Sequence, residues 1–138
     1  MRELNRDKER GNGLIEFLGI LVIFILPALI ALVSLANVMN AHRYANVASR
    51  EAVRSYTLAH TDSEGQQYMY EAIEQVFRNS NEVKFSTVEL ECSASPCLTP
   101  GETIHVRINA EVELAYLGRK VSVSATSSMP VDMFRAVG

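Results

Sequence analysis

Few residues in this chain are placed to do chemistry. Cys92 and Cys97 enclose Ser-Ala-Ser-Pro, Glu111 and Glu113 sit two apart in an alternating stretch, and Glu16 stands alone at the head of an apolar run, five positions after Gly11. Two cysteines are too few for a structural zinc site, which needs about four Cys/His ligands. His42, His60 and His105 have no ligand-like spacing to them. The pair reads as a disulfide closing a small loop if this part of the chain lies outside the cytoplasm, and as two free thiols if it lies inside. Glu111 and Glu113 share a strand face, where paired carboxylates can do acid/base work, but on a wet face such a pair is ordinarily just solvated. His105 with Glu102 or Glu113 meets the same objection. The sequence holds no Ser-His-Asp order, phosphate-cradling glycine loop or metal ligand set. The expectation is therefore no enzyme, with no catalytic residue, metal, cofactor or small-molecule substrate.

Charge narrows the class further. The chain has 138 residues, 48% of them hydrophobic, and a formal net charge of −3. Residues 43–138 carry nine Lys/Arg against twelve Asp/Glu. A nucleic-acid binder usually shows a basic face or cluster, and none is visible here, so no nucleic-acid partner is expected.

The hydrophobic residues are unevenly placed. From Phe17 to Ala36 the sequence reads FLGILVIFILPALIALVSLA, twenty residues without a charge, interrupted only by Gly19, Pro27 and Ser34. About twenty apolar residues span a bilayer core as a helix. A soluble core helix would keep a polar face, and this run has none. Arg2, Arg6, Lys8 and Arg10 precede it, whereas Arg43, Arg50 and Arg54 follow it, so the Lys/Arg bias alone sets the orientation only weakly. The cysteine pair decides the reading: N-terminus in the cytoplasm, residues beyond about 40 outside, one pass through the cytoplasmic membrane. Ser34-Leu35-Ala36 resembles a signal-peptide cleavage site, but an h-region of that kind is typically 7–15 residues, shorter than this run.

The junction before the run reads Arg10-Gly11-Asn12-Gly13-Leu14-Ile15-Glu16-Phe17. A basic cluster, a glycine, and a lone glutamate five positions on at the head of an apolar helix resemble the type IV prepilin signal, in which a membrane aspartyl peptidase cuts after the glycine. Glu-Phe at the helix start, the proline within the span and the alanine-rich stretch ending in Ser-Arg-Glu-Ala look like the TadE-type pseudopilins, the TadE/TadF/TadG class of minor pilin-like proteins of tight-adherence (Flp) pili. The likeness is strongest over residues 10–58. Beyond it there is only a general pattern of a short Cys loop, Thr-Pro-Gly, strands and a Pro-Val-Asp tail. The resemblance implies cleavage between Gly11 and Asn12, leaving Asn12 as the new N-terminus and Glu16 as the fifth residue of the mature chain. It implies as partners the prepilin peptidase, other pilins or pseudopilins, inner-membrane Tad secretion components and membrane lipid, with a place in pilus assembly or adhesion. The pilins that build Flp fibres have almost no globular part, and this chain has one, which points to a minor or initiating role.

The chemistry fits those positions. Glycine lets the backbone extend into a protease cleft without a side chain in the way. A carboxylate in a bilayer centre costs about 2.5–3.5 kcal/mol on insertion scales, less near the interface, and a helix N-terminus offsets part of it. In the family, this glutamate pairs with the freed amine of a neighbouring subunit, which would set the register of bundled helices. An ordinary alternative is a glutamate that only marks the interface, on an uncleaved anchor carrying a binding or adhesion module.

The elements that must position these residues follow from periodicity. Residues 37–59 lack Gly and Pro, and Val38, Ala41, Ala45, Ala48, Ala52 and Tyr56 recur at three- and four-residue steps. That stripe reads as the inner face of the domain in preference to a partner site. A continuous helix from Gly13 to Ala59 would measure about 70 Å. A second helix is expected from a cap at Asp62 or Ser63 to about Asn79, with Met69, Ala72, Ile73, Val76 and Phe77 inward and Tyr68 and Tyr70 covering core edges. Val83 and Phe85, then Val88, Leu90 and Cys92, alternate with a phase slip at Ser86-Thr87 that predicts a bulge. Strict alternation from Ile104 to Tyr116 predicts a half-buried strand, returning through Leu117-Gly118-Arg119 to Val121, Val123 and Ala125. The expected architecture is α+β: a leader over residues 1–11, a transmembrane helix over 12–40, and a domain over 41–138 with a second helix and a three-stranded antiparallel sheet.

Overall fold

The central strand of the sheet shows how the chain is organised. In the computed structural model, which describes residues 3–136 and the side-chain surroundings from Asn12 onward, Thr103–Leu114 buries Ile104, Val106, Ile108, Ala110, Val112 and Leu114 on one face. His105, Arg107 and Glu113 on the other face are exposed. In order along the chain the elements are α1 (Glu3–Leu58), α2 (Asp62–Phe77), β1 (Val83–Cys92), β2 (Thr103–Leu114) and β3 (Arg119–Pro130). The strands form one antiparallel sheet in the order β1-β2-β3. The fold is α+β, with a long apolar N-terminal helix, a second helix and a three-stranded sheet. By packing the chain divides into two units, which meet between Ala36 and Asn37.

In the second unit, helices cover one face of the sheet. Ala41, Ala45, Ala48, Ala52 and Tyr56 of α1 are completely buried, so the alanine stripe is the inner face of the domain. These side chains share one core with Ile104, Val106 and Ile108 of β2. Met69 and Ile73 of α2 join the same core with the inner face of β2. The rings of Tyr44, Phe77 and Phe85 tie α1, α2 and β1 together, with centroids about 6 Å apart. The expected bulge is present, a register shift between Phe85 and Thr87 where Ser86 is the extra residue.

Several boundaries differ from the sequence expectation. The helix α1 begins at Glu3, not Gly13. The stretch Glu3–Arg10 is rich in good helix formers, and its propagation outweighs the roughly 1 kcal/mol that each of Gly11 and Gly13 costs within a helix. The cap of α2 is Thr61, not Asp62 or Ser63. Its Oγ1 accepts the Glu64 N–H (3.2 Å), and the Glu64 carboxylate accepts the His60 N–H (2.8 Å). This is close to a reciprocal capping box, and it stabilises the start of the helix one residue earlier. That helix ends at Phe77, short of Asn79, where the Ser80 N–H turns back onto the Phe77 carbonyl. Tyr68 and Tyr70 are exposed and do not cover the core; Tyr68 instead donates its hydroxyl to Glu64 (2.6 Å). The β2 strand stops at Leu114, so Tyr116 lies in the connection to β3, where Gly118 takes a positive φ of 58°. The return strand continues through Thr126-Ser127-Ser128 to Pro130. Its inward Ser127 is tolerated because its hydroxyl pairs with that of the fully buried Ser49 on α1 (2.8 Å).

One expected outcome arises from this cap. Hydrogen bonds from the Tyr68 hydroxyl and the His60 N–H hold the Glu64 carboxyl below the ordinary glutamate value. A depressed folded pKa stabilises the fold above the unfolded pKa, and that contribution disappears as pH falls through the folded value. A Glu64→Gln variant should therefore show a shallower loss of stability through the acid range just below the ordinary glutamate pKa, measured as urea midpoints against pH.

Candidate functional site

The junction lies on α1. Gly11 lies outside the residues whose surroundings are described, as does the rest of the leader segment 1–11. Asn12, Glu16 and Phe17 are all exposed. Asn12 and Glu16 are four residues apart, so a helix sets them on one face, one turn from each other. Phe17 sits on the neighbouring face at 63% exposure. Between Gly11 and His42, Glu16 is the only ionisable residue, and among the described residues it has no cationic partner.

Behind Glu16 the helix is a sleeve of uncovered hydrocarbon. Leu14, Ile15, Ile23, Phe24 and Leu32 are each more than 60% exposed. Within Asn12–Leu58 lies a segment long and apolar enough to cross a membrane, and none of it is buried among the described residues. Exposing so much apolar surface to water is unfavourable by about 25 cal/mol per Å², and a bilayer removes that cost. Every backbone group in such a segment must be satisfied internally. Pro27 has no N–H, so the Ile23 carbonyl loses its usual donor. Ser34 returns its hydroxyl to the Ile30 carbonyl (2.7 Å), which leaves no unbonded polar hydrogen on that side chain.

The second constellation surrounds the cysteines. Cys92 and Cys97 are joined in a disulfide, with Cα atoms 5.2 Å apart, at the end of β1. The loop is tied to the start of α2: the Asp62 carboxylate accepts the backbone N–H of Cys97 (3.2 Å) and of Leu98 (3.3 Å). Tyr56, fully buried, lies against Gly65, where an added Cβ would come within 3.1 Å of its ring. Its hydroxyl lies near the Asp62 carboxylate, at the limit of hydrogen-bonding reach. Burial first, and the Asp62 carboxylate second, push the Tyr56 pKa up to about 12. The C-terminal segment closes the same end of the domain. Val131 is buried, and the Arg135 guanidinium donates to the carbonyls of Thr57 and Ala59 at the end of α1, where a cation also complements the helix dipole.

Sequence reasoning placed Tyr56 on the inner stripe, where it is buried, and Asp62 at the helix cap, but missed the contact of Asp62 with the cysteine loop and the role of Arg135. The Thr-x-x-Glu spacing at Thr61 and Glu64 was a readable cap signal. It would have freed Asp62 for another task, but no local pattern links Asp62 to a loop 35 residues away. The carboxylates Glu111 and Glu113 do point the same way, and in register they face Lys84 and Lys120 on the neighbouring strands. Glu89 and Arg107 form an ion pair on the same face (3.8 Å). This is a cross-strand charge ladder on the wet face of the sheet. Among the described residues no group of acidic, Cys or His side chains is arranged to hold a metal ion. Comparison with protein-family models, with characterised proteins and with solved structures returns no match to this chain.

Proposed function

We propose that this chain is a minor pilin-like subunit of the TadE type, which a prepilin peptidase cuts between Gly11 and Asn12 and which then takes part in assembling a Flp/Tad-type pilus. The observation that carries the reading is one acid, Glu16, five residues after a glycine and at the head of an uncovered apolar helix. Its role follows from that position. Cleavage frees an amine at Asn12 one helical turn from the carboxylate. In a bundle of subunits an amine from one chain and Glu16 of another neutralise each other where an unpaired charge is costly. Pairing at one depth fixes the axial register of otherwise featureless apolar helices. The chain sits with its N-terminus in the cytoplasm and its domain outside the cytoplasmic membrane, and the disulfide supports that orientation, since such bonds persist in oxidising compartments. It works as a structural subunit and not as an enzyme.

A second reading, an uncleaved anchor bearing a binding or adhesion module, is favoured by one observation: α1 runs as a continuous helix from Glu3 through Gly11. A protease must unwind that turn to reach the bond. Intact-mass analysis of the chain recovered from membranes of cells that own the peptidase separates the two. An N-terminus at Asn12 supports the subunit reading; retention of Met1 overturns it. With Glu16→Ala, processing should continue while pilus assembly falls. Normal piliation in that variant would remove the register role from Glu16.

A further inference from the structure

The hairpin between β2 and β3 ends in a tight turn. The Leu117 N–H donates to the Leu114 carbonyl (2.9 Å), and Gly118 takes its positive φ. Leu114 points into the core, but the next apolar side chains do not: Tyr116 is 71% exposed and Leu117 53%. Arg119 and Lys120, the first residues of β3, are exposed directly behind them. An aromatic residue, an aliphatic residue and two cations thus stand together at the tip.

Contacts within the domain fix where this tip lies along α1. Near one end the Thr57 hydroxyl meets Met129 Sδ, and farther along the Ser49 and Ser127 hydroxyls meet. Next come the rings of Tyr44, Phe77 and Phe85, where Phe85 is in register with Ala110, and Ala110 with Val123. From Thr57 back to Tyr44 the helix covers about 20 Å, and from Met129 back to Val123 the strand covers about 20 Å. Helix and strand therefore keep pace, side by side and in the same direction. Beyond the rings α1 has about 10 Å left before Asn37, whereas β2 has about 20 Å left before Tyr116. The tip thus reaches at least the level of Asn37. Asn37 is bonded to Ala36, the last residue of the charge-free apolar run, so this is the end of the domain at which the chain enters a bilayer.

Charge is distributed in the same sense. On the Asn37 side of the rings lie Arg43, Arg78, Lys84, Arg119 and Lys120, five of the nine bases in residues 43–138. Only Glu82, Glu111 and Glu113, three of the twelve acids, lie there with them. The opposite end keeps four bases and nine acids, so the domain is positive toward the membrane and negative away from it.

We propose that the hairpin tip docks on the bilayer that α1 enters, with Tyr116 and Leu117 among the headgroups and upper acyl chains and with Arg119 and Lys120 on the phosphates of anionic lipid. A tyrosine ring is suited to that depth, since its body is apolar and its hydroxyl stays wet. The cations add attraction to a negative surface; Arg119 contributes more, because Lys120 faces Glu113 in register. A single helix leaves its domain free to tilt and swivel over the membrane, and a second foothold removes that freedom. The proposal rests on the apolar run spanning a bilayer and not on cleavage after Gly11.

The test uses the full chain in vesicles of equal parts phosphatidylcholine and phosphatidylglycerol, with lipid brominated high on the acyl chain as quencher. The chain has no tryptophan, so Tyr116→Trp places a single reporter at the tip, Leu117→Trp a second one beside it, and Leu58→Trp a control at the other end of α1. The two tip reporters should be quenched by the brominated lipid and the control should not. Adding R119Q/K120Q to either tip reporter should lower the ratio of docked to free tips about tenfold, since each cation near an anionic surface contributes about a factor of five and Glu113 tempers one of them. Vesicles of phosphatidylcholine alone should give a similar loss. Tip reporters quenched no more than the control would overturn the proposal, as would quenching that neither the double variant nor the neutral vesicles reduce. A tip emission shifted to the blue but untouched by the brominated lipid would also overturn it, and would point to a protein on this surface. Failure of the span itself would show separately, as a chain that does not float with the vesicles, and would remove the basis of the proposal.

Discussion

Replacing Gly11 with leucine should leave the membrane-bound chain eleven residues longer than its processed form in cells that contain a prepilin peptidase. The processed fraction should fall by about a hundredfold, the scale of loss when a scissile bond is displaced by about 1 Å in a protease cleft. The physical reason lies in the backbone. A peptidase needs this segment extended, and glycine, lacking a Cβ, makes that transition without a side chain colliding with the cleft. Here the demand is larger than usual, because α1 continues through position 11 and one turn must unwind. Leucine opposes cleavage twice, by adding bulk and by favouring the helix. Intact mass gives the readout, and unchanged conversion to an Asn12 N-terminus would show that Gly11 is not what the enzyme recognises. Gly11→Leu leaves the domain untouched, so a retained leader cannot be blamed on misfolding. The disulfide and the urea midpoint of the variant provide the check.

The second large effect concerns the domain itself. An Ile108→Ala substitution should destabilise it by about 2–5 kcal/mol, measured as a urea midpoint of the full chain in detergent. Ile108 is fully buried at the middle of β2 and opposes Val88 on one neighbouring strand and Ala125 on the other. It faces the helical layer, where the α1 alanines have no side-chain length with which to fill a cavity. Relaxation around the lost atoms is therefore limited, which places the expected cost in the upper part of that range. A loss below about 1 kcal/mol would mean that the core collapses onto the gap. Arg107, the next residue on the opposite face, provides the contrast. It is exposed, and its one ion pair with Glu89 is solvated, so Arg107→Ala should fall within about 0.5 kcal/mol of the original.

Much of this molecule was readable from one dimension. The apolar segment, the alanine stripe and the alternation of β2 are local patterns; the first is marked by its length, and the other two have periods that only a helix and a strand satisfy. The phase slip at Ser86 was legible for the same reason, since an extra residue breaks a period of two. Boundaries were less legible. Helix α1 begins before Gly11 and Gly13 because cooperative propagation along a long helix overrides a local cost, and β3 runs on through Thr126-Ser127-Ser128 because Ser49 supplies a partner for an inward hydroxyl. Tyr116 fitted the alternation, yet the chain had already turned, since a two-residue period does not record where a neighbouring strand ends.

What the sequence alone determined is therefore the set of features whose cause lies within a few residues: a span without a polar face, a glutamate at its head, a helix that buries alanines, and strands with one wet face. The tertiary structure decided what depends on residues far apart. It brought Asp62 to the amides of Cys97 and Leu98, placed the buried Tyr56 hydroxyl near that carboxylate, and set Arg135 on the carbonyls of Thr57 and Ala59. Those contacts arise because packing a helical layer on a three-stranded sheet leaves few ways to close the end of the domain, and polar groups buried there must find whichever partners the topology brings within reach.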